Sequence, residues 1–241
     1  MLHRRTVGSV LAATAVLSPI LNAAPSWAAK SLHQDRPSLA GAVVYGPAAE
    51  QMSSDWIVPT ASCTATNTGS FVELGNFDTN QKEVTAAGVN INCIEGNAQY
   101  QAYTWQNVSG KVETDYPEKV KPGDKIGLAI SATTTARVAS VANLTRGWAK
   151  TWTVTSGRTA DLIGGQMGLE PVSVPQGATP PPLTKVSDVV VAATSASGKS
   201  IAAQEYAIDD MTSSDKKTYR AVVTNELLTP SGGFTVHWMS Y

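Results

Sequence analysis

Short runs of alternating apolar and polar residues, each closed by glycine, proline, asparagine or aspartate, recur along this chain from residue 39 to residue 239, and no helical periodicity separates them. The clearest are 39–45, 52–58, 70–74, 84–91, 100–105, 125–132, 136–144, 148–154, 159–163, 188–193, 200–206, 219–224 and 234–239. Parallel strands need crossover connections, most often helices, and none is predicted here. The chain is therefore expected to be all-β, an antiparallel sandwich or barrel. Residues 84–105 give the plainest hairpin: a strand, a turn at Glu95, Gly96 and Asn97, then a second strand with Tyr100, Ala102 and Thr104 on one face. A breaker-rich excursion from Gly164 through Pro182 reads as a surface loop.

The first residues read as an export signal. Arg4 and Arg5 precede an apolar run over 7–21, and Ser26-Trp27-Ala28 places cleavage after Ala28. The run is too short for a membrane span, and the segment after the arginine pair fits general secretion better than a twin-arginine signal. Three segments follow: a signal peptide over 1–28, a polar, flexible mature terminus over 29–38, and one domain over 39–241. Removing the signal leaves 16 basic against 19 acidic residues, with no Lys/Arg cluster. That balance argues against nucleic acid and anionic membranes as partners, and a secreted monomer is expected.

Cys63 and Cys93, both beyond the signal, are expected to form one disulfide in an oxidising compartment. No metal or other cofactor is expected. The mature chain holds only His33 and His237, neither near a cysteine, and no ligand pair at helical spacing. A Ser-His-Asp triad is disfavoured, because Gly-x-Ser-x-Gly is absent, His33 lies in the polar terminus and His237 reads as one face of a strand. Adjacent Asp209 and Asp210 read as a solvated turn. Phe71, Tyr103 and Trp105 are candidates to line a groove that stacks on peptide or sugar groups.

The order of these pieces resembles the secreted glutamic peptidases, the eqolisin family, and most of all its bacterial members. Ser38-Leu39-Ala40-Gly41-Ala42-Val43 is similar to the family's first strand, and Asp55-Trp56-Ile57-Val58-Pro59 to the next. Ser70-Phe71-Val72-Glu73-Leu74-Gly75 stands where the family has A-W-V-G-I/L-D-G. Tyr100-Gln101-Ala102-Tyr103, Gly123-Asp124 and Asn143-Leu144-Thr145-Arg146-Gly147 follow in the family's order. The resemblance implies a sandwich of two curved sheets, concanavalin-like, with a cleft on a concave face. It also implies a Glu as general base on the attacking water and a Gln stabilising the oxyanion.

The catalytic positions depart from the pattern. Aligning Gly88 on the family's glycine puts Ala86 at the Gln, and aligning Ala160-Asp161-Leu162-Ile163 on A-E-W-I puts Gly165 at the Glu. Phe71 replaces a Trp, and Thr104-Trp105 replaces Tyr-Glu. Neither alanine nor glycine can take a proton or stabilise an oxyanion. Gln166 lies one position from the aligned Glu, an odd slip that turns a strand side chain to the opposite face. Two expectations follow. One is an impaired family member that holds a peptide or glycan in its cleft; the other is an acid endopeptidase with a rearranged pair, Asp161 as base and Gln101 or Gln166 as its amide partner.

Overall fold

The alternation read from the sequence becomes real pleating. In the strand Lys125–Ala132, Ile126, Leu128, Ile130 and Ala132 face inward while Lys125, Gly127, Ala129 and Ser131 face out. Burying each large aliphatic side chain contributes about 1.5–3 kcal/mol, so the inward set decides which face is core. The computed structural model describes residues 32–64, 66–79, 83–107, 111–133, 135–155, 162–171, 182–213, 217–224 and 228–239. Among these the strands are β1 (Leu32–Arg36), β2 (Ala40–Tyr45), β3 (Gln51–Ile57), β4 (Thr68–Asp78), β5 (Glu83–Ile94), β6 (Asn97–Asn107), β7 (Lys111–Tyr116), β8 (Lys125–Ala132), β9 (Ala136–Asn143) and β10 (Trp148–Thr155). Then come β11 (Leu162–Pro171), β12 (Val189–Ala196), β13 (Lys199–Ser200), β14 (Tyr206–Thr212), β15 (Tyr219–Val223) and β16 (Phe234–Trp238).

Hydrogen-bonded neighbours run in the order β10-β9-β8-β3-β12-β16-β15-β14-β2-β11-β4-β5-β6-β7, with β13 added to β12 and β1 to β14. This long ribbon curls so that β4, β5 and β6 lie over β8 and β9. Two antiparallel layers result, with Leu74, Val89, Ile91 and Met167 of one packed with Ile126, Leu128, Ile130 and Val141 of the other. The expected sandwich of two curved sheets is the observed fold. The hairpin between β5 and β6 turns on Glu95 and Gly96, with φ of 51° and 79°, the positive values a two-residue hairpin requires. No helix among the described residues is long and apolar enough to cross a membrane.

Three local readings change. Residues 32–36, expected to be unpinned, form β1, the one parallel pairing among these strands, with Gln34 opposite Asp209. Asp209 and Asp210, expected in a solvated turn, lie inside β14 at 0% and 7% exposure. Contacts from β1 overturn both expectations: Arg36 Nε lies 2.8 Å from Asp209 Oδ2 and His33 Nε2 lies 2.5 Å from Asp210 Oδ2, and these partners permit the burial of the two carboxyls. Gly164 and Gly165, expected to open a loop, sit inside β11 between β2 and β4. These glycines serve close packing rather than turning: a Cβ on Gly168 would stand 2.3 Å from the Ala40 carbonyl oxygen, and one on Gly165 2.2 Å from Met52 Sδ. The rest of the expected loop, residues 172–181, lies outside the described residues.

Cys63 and Cys93 are bonded, with Cα atoms 5.3 Å apart, tying the segment before β4 to the end of β5 across 30 residues of sequence. Closing a loop of that length in the unfolded chain removes entropy worth about 3 kcal/mol. Cys63→Ala is therefore expected to lower the free energy of unfolding by about that amount in denaturant titration, with m little changed.

Candidate active site

The outward faces of β11, β4, β5 and β6 form three cross-strand rows. Glu170 faces Phe71, which faces Asn90, which faces Gln101; Gly168 faces Glu73, then Gly88, then Tyr103; Gln166 faces Gly75, then Ala86, then Trp105. The intervening residues, Met167, Leu74, Ala87 and Val89, point into the core. A groove of about 310 Å³ opens on this outward face, lined among others by Arg36, Tyr45, Phe71, Phe77, Gln166 and Glu170. Its volume is that of a small ligand or a few peptide residues.

Within the groove the Gln166 amide Nε2 donates to Glu170 Oε1 at 2.8 Å. The two residues are four apart on one strand, and their side chains meet because Gly168 between them has none. Glu73 occupies the neighbouring strand opposite Gly168, diagonal to both, and is 3% exposed. The Tyr103 hydroxyl donates to Glu73 Oε2. Tyr103 can reach it because the position between them is Gly88, where a Cβ would stand 2.9 Å from the Tyr103 hydroxyl oxygen. Phe71 closes the cluster from above, edge-on to Tyr103 with ring centroids 6.2 Å apart.

Burial, and next the charge of Glu73, push the Glu170 carboxyl well above the usual carboxylate range; the bond from Gln166 opposes this only in part. Two carboxyls so placed do not both ionise readily, and an adjacent amide donor completes an acid-base cluster.

The residues singled out from sequence fall as follows. Gly165 points into the core at Met52, so a glutamate there would not reach the groove. Gln166, one position on, is the residue that faces it; the register shift between Leu162 and Gly164 means that counting from Asp161 does not predict the face. Ala86 is on the groove side and fully buried. The Gln101 amide donates to the Tyr116 carbonyl and is not among the groove-lining residues. Asp161 lies outside the described residues. Phe71 lines the groove, Tyr103 lies beneath it, and half-buried Trp105 sits further along β6. Glu73 and Glu170 were missed. The signal available was Gln-x-Gly-x-Glu at 166–170, but Gly168 and Pro171 disguised a strand as a loop.

The motifs at Gly123-Asp124 and Asn143 to Gly147 converge away from this site. Asp124 Oδ2 accepts from Arg146 Nε at 2.6 Å, Asn143 Nδ2 at 2.8 Å and the Lys121 backbone at 2.9 Å. Burial raises the Asp124 carboxyl, but these bonds outweigh it and hold it below the usual range. Their role is to lock the turn into β8 against the end of β9.

The family model described as the Peptidase A4 family matches residues 37–238. The chain belongs to this family. Among solved structures it is similar to scytalido-glutamic peptidase bound to a transition-state-analogue inhibitor, with a TM-score of 0.66 and 16% identity over 85% of this chain and 99% of that one. It is similar to SCP-B, of the eqolisin family, in complex with the tripeptide Ala-Ile-His, with a TM-score of 0.63 and 15% identity over the same shares. It also resembles aspergilloglutamic peptidase from Aspergillus niger, with a TM-score of 0.55 and 18% identity over 71% of this chain and 99% of that one. A search of curated proteins returned no match. At these identities the similar structures establish the sandwich fold of this family member.

Two buried acids give the fold a pH dependence. Asp209 is pushed up to about 6 by burial, with Arg36 pulling it down, Asp210 raising it and His33 lowering it. Asp209 and Glu170 both bind protons more tightly folded than unfolded, so stability rises as pH falls through about 6 toward 4; further acidification then protonates Asp124 and removes its contribution. Calorimetry is expected to show Tm higher at pH 4.5–5 than at pH 7.5, on the order of 5 °C, with the gap reduced in Asp209→Asn. Separately, Gly165→Ala is expected to cost about 1–3 kcal/mol in denaturant titration, the result of overpacking against Met52.

Proposed function

We propose that this chain is a secreted endopeptidase working at acid pH through a rearranged constellation, with Glu170 and Gln166 in contact with substrate and Glu73 beneath them. The observation that carries this reading is the hydrogen-bonded Gln166–Glu170 pair on the groove floor, in a family whose fold supports a peptidase-like protein. The similar structures hold a transition-state analogue in one case and a tripeptide in another, which supports a peptide as the groove's occupant here. The export signal read over 1–28 supports secretion.

The chemistry follows from the proton inventory. Burial and the charge of Glu73 push the Glu170 carboxyl well up, so Glu170 is the protonated member of the pair and Glu73 the ionised one. Glu170 gives its proton to the carbonyl oxygen as Glu73 takes one from the attacking water; on collapse of the tetrahedral intermediate Glu73 passes that proton to the departing amide nitrogen and Glu170 recovers one from the intermediate's hydroxyl, which restores the starting state. The Gln166 amide supplies a fixed donor toward the developing oxyanion. The Tyr103 hydroxyl keeps Glu73 oriented and favours its ionised form.

Ala86 supports a second reading, peptide or glycan binding without hydrolysis, since it stands where the family resemblance places the amide. Hydrolysis of an unfolded protein by the purified mature chain at pH 3–5 separates the two. The first reading expects cleavage that falls at least about 100-fold in Glu170→Gln and in Glu73→Gln, with the folded state retained by calorimetry. Peptide binding with no cleavage in the unmodified chain would leave the second reading in its place.

A further inference from the structure

One feature of the groove plays no part in that chemistry. Arg36, the last residue of β1, lines the end of the groove away from β5 and β6, beside Ser38 and Tyr45. Its Nε lies 2.8 Å from Asp209 Oδ2, and its Nη2 donates to the Tyr45 hydroxyl at 3.2 Å and to the Gln34 side chain at 3.3 Å. The guanidinium is about one-third exposed while Asp209 is fully buried, so one side of the fork is held by the protein and the other looks into the groove. No other Lys or Arg is among the groove-lining residues, whose further ionisable members are Glu170 and Tyr45.

We infer that Arg36 is a substrate-specificity residue, a subsite at one end of the groove that takes a carboxylate of the bound peptide. This inference rests on the peptidase reading for its substrate class. Arginine suits the role because its planar donor set grips a carboxylate at two points and remains charged at every relevant pH. Apolar Phe77 and Ile163 lie alongside, so the ion pair would form in a partly dehydrated setting where it discriminates more strongly than on open surface.

The partner on the protein side tunes the site. Above about pH 6 Asp209 is ionised and neutralises Arg36; below that it is protonated and leaves the guanidinium charge uncompensated. The remaining groups that face the pair are Tyr45 from β2, Asp210 and His33 beside Asp209, and Glu170, which stays neutral in acid. A peptide carboxylate is itself ionised above roughly pH 4.3. Preference for an acidic peptide therefore peaks between about pH 4.5 and 6.

The test uses the mature chain and four unlabelled, N-acetylated heptapeptides of one backbone sequence with no other ionisable group. They carry a central Glu or Gln and a free or amidated C-terminus, and binding is read by isothermal titration calorimetry from pH 4 to 8. At pH 5 a peptide with a carboxylate is expected to bind at least tenfold more tightly than the fully neutral one. The Glu/Gln arm and the acid/amide arm tell a side-chain carboxylate from a terminal one. Arg36→Gln is expected to bring all four affinities within about twofold, and Arg36→Lys to restore part of the difference. Should the Arg36 variants lose β1, Asp209→Asn gives an independent reading: discrimination is expected to persist to pH 7 and above instead of fading past pH 6. Equal binding of the four peptides by the unmodified chain at pH 5, or a preference that survives in folded Arg36→Gln, would overturn the inference. Discrimination without cleavage would overturn only the peptidase reading, cleavage without discrimination only this one, and no binding of any peptide both.

Discussion

The period-two alternation of a single strand, β11, sets both the core and the groove. Its residues 165, 167 and 169 point inward, where Met167 and Leu169 help fill the sandwich and Gly165 yields its volume to Met52. Its residues 166, 168 and 170 point outward, where an amide, an absence and a carboxyl lie in line. Shifting this strand by one residue would bury Gln166 and Glu170 in the core and expose Met167 and Leu169, which the hydrophobic term forbids. The register that builds the interior therefore also presents the acid-amide pair, and neither can be altered alone.

Glycine has an unusual part in this arrangement. Gly41, Gly168 and Gly88 lie in one cross-strand row with Glu73, on strands whose partners approach too closely for a side chain. The missing side chains let polar groups lie flat: Gln166 reaches along its strand to Glu170, and Tyr103 reaches across to Glu73. A polar cluster in such a site owes its hydrogen bonds to what surrounds it rather than to water, and this is why Glu170 holds its proton.

The fold was largely legible in the sequence because its signals are local. Alternation located most of the strands, Glu95-Gly96 the tight hairpin, and Cys63 with Cys93 the crosslink. The site was legible only in part, because what defines it is lateral. No local pattern says that residue 73 stands opposite residue 168, or that a shift at Leu162 decides whether Gly165 or Gln166 faces the groove. Phe71 was found as a groove residue through its aromatic character, whereas Glu73 and Glu170 are single carboxylates whose meaning comes from a neighbouring strand. The same holds for Asp209 and Asp210. Two adjacent acids read as a wet turn until His33 and Arg36, on a strand some 177 residues away, are placed beside them.

That long separation bears on how the protein acquires its structure. β1 pairs with β14, a strand some 177 residues further along the chain. During synthesis β1 stays without this partner until β14 has been made, and contacts of such high sequence separation form slowly. Arg36, at the end of that strand, takes its place in the groove wall only once β1 has found β14, so that wall depends on one of the most distant contacts in the chain.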